Sequence, residues 1–178
     1  MYLDLSTLEA GLDEIRGAPP DEGKVELIVR RPAENERETV TEAHLDVVAG
    51  LVGDVWLSAD GDTMHQVTVM NVRAIALLAG SRERWPLAGD QLYVDLDLSR
   101  QNLPPGTRIE VGSAVLEVTT EPHRGCKKFG ARFGLDAVRF VNSAVGAALN
   151  LRGVNTRVVR SGVVRPGDPV RKLPAPAT

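Results

Sequence analysis

The hydrophobic pattern of this 178-residue chain predicts a mainly β domain, a closed or nearly closed barrel with helices at its periphery. Segments with a strand pattern clearly outnumber helical segments. The two kinds of segment do not alternate as in a βαβ protein, and no internal repeat is present. The composition, 43 % hydrophobic and 25 % charged, is that of a globular protein with a buried core.

The N-terminal third begins with a predicted helical extension over residues 1–23. Residues 6–9 (STLE) have the capping-box pattern that starts a helix. Residues 24–30 alternate between polar and apolar and predict the first strand. Residues 41–48 place their apolar side chains at helical spacing, which predicts a second helix. Residues 50–54 (GLVGD) are punctuated by glycine and predict a loop.

The middle of the chain has the clearest strand signals. Asn71 is a good cap for a helix over residues 73–79. Residues 91–98 alternate strictly, with Leu92 on the predicted buried face and Tyr93 on the predicted exposed face, as in a half-buried strand. Further strands are predicted at 66–70 and in a hairpin of 107–111 and 114–120.

The C-terminal part returns to a helix and two strands. Residues 135–149 have apolar side chains on one helical face, and residues 155–164 and 169–172 have strand patterns. The predicted main domain therefore covers residues 24–172, and residues 173–178 are predicted to be a frayed tail.

Several classes of protein are excluded by composition. No apolar run reaches the roughly 20 residues of a membrane helix, and the N-terminus has no signal-peptide pattern, so we expect a cytoplasmic protein without membrane contact. The single cysteine, Cys126, rules out an internal disulfide and any multi-cysteine metal site. No phosphate-binding glycine loop is present.

Charge is unevenly distributed along the chain. Residues 1–62 hold 15 acidic and 5 basic side chains, whereas residues 120–172 hold 3 acidic and 11 basic ones. The two regions could simply neutralise each other, or the basic region could attract an anionic ligand. Nucleic acid is a poor candidate, because aromatic residues make up only 4 % of the chain and its first third is acidic.

Cys126 lies in the basic loop 121–128 (EPHRGCKK). Nearby cations stabilise a thiolate, so the loop is typical of a reactive cysteine; alternatively, Cys126 is a small buried hydrophobic residue. His123 could act as its proton-transfer partner, or could be a solvated loop histidine. The basic side chains near the sulfur are His123, Arg124, Lys127 and Lys128.

Three segments resemble the MOSC domain, the molybdenum cofactor sulfurase C-terminal domain. They are the loop 50–54, the strand, turn and hairpin start within 96–109, and the cysteine segment 116–129. The pairs Arg152-Gly153 and Gly167-Asp168 match the closing pattern of the family, so the resemblance covers residues 24–172. The chain departs from the family at Val55-Trp56, where Arg and His are common, and at Gly125, where proline often precedes the cysteine.

The resemblance implies a β-barrel-like MOSC fold with peripheral helices and a role in molybdenum cofactor (molybdopterin) chemistry. Cys126 would carry sulfur as a persulfide or ligate molybdenum as a thiolate. Asn102 would contact the pterin edge or its own turn, and Asp54 would orient a basic side chain or cap its own loop. The residues expected to pair with the pterin phosphate are Arg124, Lys127, Lys128 and Arg100.

The resemblance also implies partners. The chain has no desulfurase region and no pyridoxal phosphate site of its own, so a stand-alone MOSC protein would depend on a cysteine desulfurase or a molybdoenzyme. Three alternatives to sulfur transfer or metal ligation stay open. They are a cofactor carrier without chemistry, a molybdenum-dependent reductase of N-hydroxylated compounds, and a simple anion or nucleic-acid binder.

Overall fold

Seven strands close into a barrel in the computed structural model, which describes residues 2–175. The ring order is β11-β7-β8-β9-β5-β6-β1, and pairing of β1 with β11 closes it. Within the ring only β5 and β6 run parallel. Within residues 2–175 the strands are β1 Glu22–Arg30, β2 Glu38–Thr39, β3 Ala43–Asp46, β4 Gly50–Leu51, β5 Val67–Asn71, β6 Leu92–Asp95, β7 Arg108–Val111, β8 Ala114–Val118, β9 Val154–Arg160, β10 Gly162–Val164 and β11 Pro169–Lys172.

Short helices surround the barrel, as predicted. One hydrophobic core fills the barrel, and a second lies between its outer wall and the helices. None of the helices within residues 2–175 has the length and apolar character needed to cross a bilayer. The α-helices are α1 Leu5–Ala10, α2 Leu12–Arg16, α3 Trp56–Ala59, α4 Val72–Ala79, α5 Lys127–Phe133, α6 Leu135–Asn142 and α7 Ala144–Ala148, and 3₁₀-helices cover Thr63–His65 and Arg82–Ala88.

The predicted exposed face of β6 is in fact buried. Leu92 points into the barrel core, and Tyr93 lies in the core between the barrel and the helices. The Tyr93 hydroxyl donates a hydrogen bond to the carbonyl of Trp85 at 2.9 Å. Alternation alone could not show this, because a strand covered on both faces can still carry a polar group that finds a partner.

Within residues 41–48, where a helix was predicted, Ala43–Asp46 form strand β3 instead. Ala43 and Leu45 are buried in the barrel-side core, and Leu45 pairs with Gly162 of β10 in a second, three-stranded sheet of order β10-β3-β4. The prediction was wrong because pairing with a distant strand overrides a weak local helical spacing.

Two helix boundaries also differ from the prediction. Asp4, not Ser6, caps α1, since its carboxylate accepts a hydrogen bond from the Thr7 amide at 2.8 Å. The predicted helix over residues 135–149 is interrupted at Ser143, which ends α6 and caps α7. In the predicted tail, Leu173 donates a backbone hydrogen bond to Arg108 at 2.9 Å, and residues 176–178 lie outside the described residues.

Candidate functional site

Cys126 lines a cavity of about 260 Å³, which we call the Cys126 cavity. The loop after β1, the turn before β6, the 121–128 loop and α5 build its walls. His123 also lines it, so the structure brings the two residues predicted as catalytic to one cavity. Its basic lining residues are Arg31, Arg37, Lys128, Arg132 and Arg152.

Asp54 holds Arg31 in place. One carboxylate oxygen of the buried Asp54 accepts from the Arg31 backbone amide at 3.0 Å and from its Nε at 2.9 Å, and the other accepts from Nη2 at 2.7 Å. Asp54 also accepts from the Trp56 amide at 3.0 Å. It therefore orients a basic side chain and caps its own loop, which are the two roles that the sequence left open.

Three guanidinium groups meet around Gly89. Arg31 Nη1 donates to the Gly89 carbonyl at 3.2 Å. A Cβ atom added to Gly89 would lie 3.7 Å from Arg132 Nη1 and 3.9 Å from Arg37 Nη2. We call Arg31, Arg37, Arg132 and Gly89 the arginine cradle. Such a cluster of fixed, forked donors is the usual way in which proteins bind phosphate and other oxyanions.

Two of these arginines lack a carboxylate partner among the described residues. Arg132 Nη1 donates to the Leu87 carbonyl at 2.9 Å, and Arg37 Nη1 donates to the Asn35 carbonyl at 3.2 Å. Arg37 Nε is buried and has no hydrogen-bond partner. Burial lowers the pKa of Arg37, and the nearby charge of Arg132 lowers it further. An anion in the cavity would stabilise the charged form of Arg37 and so counteract both the burial and the repulsion from Arg132.

Arg152, which lines the cavity, forms a buried ion pair with Asp90. Arg152, which is 6 % exposed, donates from Nη1 to Asp90 at 2.5 Å and from Nη2 to the Ala88 carbonyl at 2.8 Å, but its Nε is unpaired. His123 Nδ1 lies 3.4 Å from the other Asp90 oxygen. Burial lowers the pKa of His123 to about 3, and the charge of Arg152 acts in the same direction. His123 is therefore neutral near pH 7.

The Cys126 side chain is exposed and immediately precedes α5. The alternative of a small buried hydrophobic residue is therefore excluded. Partial burial raises the pKa of the thiol, but the backbone N–H groups of Phe129 and Lys128 and the charge of Arg152 lower it by more, so the pKa lies below its ordinary value. The surroundings of the sulfur favour the thiolate, the form that acts as nucleophile and metal ligand.

The remaining predicted residues lie in different places. Lys128 lines the Cys126 cavity and pairs with Glu34 at 3.3 Å. Arg124 and Arg100 instead line a separate cavity of about 30 Å³. Lys127 is exposed and does not line the Cys126 cavity.

The side-chain polar atoms of Asn102 are engaged by one contact in its own turn and by two contacts to distant segments. Its Nδ2 donates to the carbonyls of Pro20 and Asp97, both at 2.7 Å, and its Oδ1 accepts from Lys172 Nζ at 2.7 Å. It does not line the Cys126 cavity. Of the two roles that the sequence allowed, the structure shows the turn contact.

Sequence reasoning missed most of the charged residues of the site. Arg31, Arg37 and Asp90 lie far from Cys126 in the chain, so no local spacing connects them. Arg132 lies on α5, a helix that the sequence did not predict. Arg152 offered a signal, because Arg152-Gly153 belongs to the pattern that the MOSC family shares.

We expect Cys126 to react with alkylating reagents at lower pH than an ordinary cysteine, for which the pKa is about 8.5. The lowered thiol pKa makes thiolate available earlier, and the basic lining should favour anionic iodoacetate over neutral iodoacetamide. Alkylation rates measured by mass spectrometry across pH check both points. Protein unfolded in urea is the control, and identical pH profiles for folded and unfolded chains would contradict the expectation.

Comparison with known proteins agrees with the fold and the cysteine segment. Residues 87–171 match the model of the MOSC domain, a stretch that includes Asp90, Cys126, Arg132 and Arg152. This match to a MOSC domain agrees with the resemblance that the sequence motifs suggested. No curated protein matches.

Solved structures extend the likeness over most of the chain. The YuaD protein from Bacillus subtilis is 19 % identical with a TM-score of 0.59, and the match covers 84 % of this chain and 94 % of that one. YiiM from Escherichia coli is 18 % identical with a TM-score of 0.58, over 87 % and 72 % of the two chains. At these identities the likeness concerns the fold.

Proposed function

We propose that the Cys126 cavity binds the anionic pterin cofactor of molybdenum, with Cys126 as metal ligand or as carrier of sulfur. The observation that carries this proposal is the arginine cradle in a cavity lined by an exposed thiol. The MOSC domain supports the choice of this cofactor among anionic ligands.

The residues present fit such a ligand in two respects. A phosphate group takes hydrogen bonds from several guanidinium donors at once, and four arginine side chains line the Cys126 cavity. A thiolate is a soft ligand that suits molybdenum better than a carboxylate would. When bound, the cofactor supplies a molybdenum centre for two-electron chemistry or for the acceptance of sulfur.

Each part of the cavity then has a definite task. The arginine cradle binds and neutralises the phosphate, and Asp54 fixes the direction of Arg31. Arg152 favours the Cys126 thiolate. Neutral His123 can donate or accept a hydrogen bond. Together with Arg31, it lines both the Cys126 cavity and a neighbouring cavity of about 380 Å³. A ligand too long for the Cys126 cavity can extend there.

We expect purified protein to bind molybdenum cofactor released anaerobically from a molybdoenzyme, with affinity that falls as salt rises. Lys128→Gln should weaken binding severalfold, whereas Lys127→Gln should not, because only Lys128 lines the cavity. The two neighbouring lysines form a matched pair of equal charge. Equilibrium dialysis with detection of pterin fluorescence after oxidation measures the affinity.

The role of the sulfur is tested by Cys126→Ser in the same assay. Affinity lowered by about tenfold or more would indicate metal ligation, since a hydroxyl is a poor substitute for a thiolate ligand. Equal affinity would instead favour a carrier or a sulfur-transfer role that does not depend on the metal bond. Absence of binding by the wild-type protein would contradict the proposed function.

A further inference from the structure

The Cys126 cavity joins a nucleophile to an oxyanion receptor within this chain. The thiol is exposed, and Arg152 lines the same cavity; Arg152 is more than nine-tenths buried, and its Nε has no hydrogen-bond partner among the described residues. Arg37 and Arg132 converge on Gly89 in the same cavity and have no carboxylate partner among the described residues. Nucleophile and receptor therefore line one cavity.

We propose that Cys126 takes sulfane sulfur from thiosulfate or a similar small anionic donor, so that the chain is a sulfurtransferase. This inference rests on the proposed role of Cys126 as a sulfur carrier and names the class of its donor.

The transfer balances without an outside oxidant or reductant. The Cys126 thiolate attacks the terminal sulfur of thiosulfate, and a bond forms between Sγ and that sulfur. The sulfur–sulfur bond of thiosulfate breaks, and sulfite leaves with the electron pair. Cys126 is left as a persulfide anion, from which a nucleophilic acceptor such as cyanide removes the outer sulfur as thiocyanate and restores the thiolate.

The charges around the cavity explain why an oxyanion donor is favoured. A thiolate and a thiosulfate dianion repel each other, and the basic lining offsets this repulsion. The arginine cradle offers forked donors to the sulfonate oxygens, and negative charge grows on those oxygens as sulfite departs. The same side chains therefore bind the donor and stabilise its leaving group.

Intact-mass spectrometry after incubation with thiosulfate gives the direct readout. We expect the wild-type protein to gain one sulfur atom, which cyanide removes with formation of thiocyanate, and Cys126→Ser to gain none. Arg37→Gln and Arg132→Gln should slow loading by roughly tenfold or more at low thiosulfate. Their reaction with neutral iodoacetamide should change much less, because that reagent needs no oxyanion receptor.

Arg139→Gln is the matched control, since Arg139 is exposed on α6, pairs with Asp136 and does not line the Cys126 cavity. Circular dichroism confirms that each variant is folded. The inference is overturned if thiosulfate adds no sulfur to a wild-type thiol that iodoacetamide shows to be free. It is also overturned if the Arg37 and Arg132 variants load as fast as the wild type, or if only cysteine persulfide, a donor without a sulfonate, loads Cys126.

The thiosulfate experiment and the cofactor-binding experiment can fail independently of each other. Cofactor binding without loading from thiosulfate would remove only the sulfurtransferase inference. Loading without cofactor binding would leave the sulfurtransferase in place and remove the cofactor.

Discussion

Arg152→Met is expected to lower the free energy of unfolding by about 3–5 kcal/mol. The substitution keeps much of the side-chain length but leaves the carboxylate of Asp90, which is fully buried, without its cationic partner. It also removes the hydrogen bond to the Ala88 carbonyl and the contact of the guanidinium with the Phe129 ring. Urea unfolding followed by circular dichroism measures the loss.

Arg157→Met is the control for this measurement. Arg157 also pairs with a carboxylate, that of Glu117, but its side chain is 49 % exposed, so we expect a loss of about 1 kcal/mol or less. Adding Asp90→Leu to Arg152→Met should restore part of the stability, because the unpaired charge is then gone. A loss from Arg152→Met no larger than that from Arg157→Met would show that the buried pair contributes little.

The second large effect is the loss of stability expected from a substitution at the seam of the barrel, where β1 pairs with β11 and closes the ring. Gly23 in β1 pairs with Val170 of β11, and a Cβ atom at Gly23 would overlap the carbonyl oxygen of Asp95. The clash involves backbone on the β6 side and cannot be relieved by a side-chain rotation. Gly23→Ala should therefore cost about 3 kcal/mol or more, at the upper end of overpacking effects.

Gly106→Ala gives the comparison for Gly23→Ala. Gly106 has a φ of 89° but open space around its Cβ position, so only the backbone cost of about 1–2 kcal/mol applies. Thermal unfolding of both variants distinguishes the overlap between Gly23 of β1 and the Asp95 carbonyl of β6 from the general cost of replacing glycine. A smaller loss at Gly23 than at Gly106 would mean that β1 can shift without opening the barrel.

Much of the fold could be predicted because its signals are local. The hairpin of β7 and β8 lies where the sequence placed it. Asn71 caps α4 as expected, since its side chain accepts hydrogen bonds from the Arg73 and Ala74 amides. The strand over Ala43–Asp46 was missed because its longer pairing is with β10, which comes more than a hundred residues later, and its nearby partner β4 has only two residues.

The candidate site also has one part with a local sequence signal and one part without. The cysteine and its neighbours in the loop could be found from sequence, because the cluster of charges around Cys126 is local. The arginine cradle could not be found in this way. It exists only after closure of the barrel brings the end of β1, the turn at Gly89 and α5 together. Local patterns thus located the nucleophile, and tertiary contacts supply the groups that would bind an anion.

Closure of the ring has a consequence for how the chain folds during synthesis. The strands that meet at the seam are far apart in sequence, as the contact of Arg171 with Glu22 across 149 positions shows. Until the ribosome has released β11, β1 keeps a free edge on which another chain could add a strand. Domains dominated by such distant pairings fold slowly, so the nascent chain stays exposed to misassociation throughout its translation.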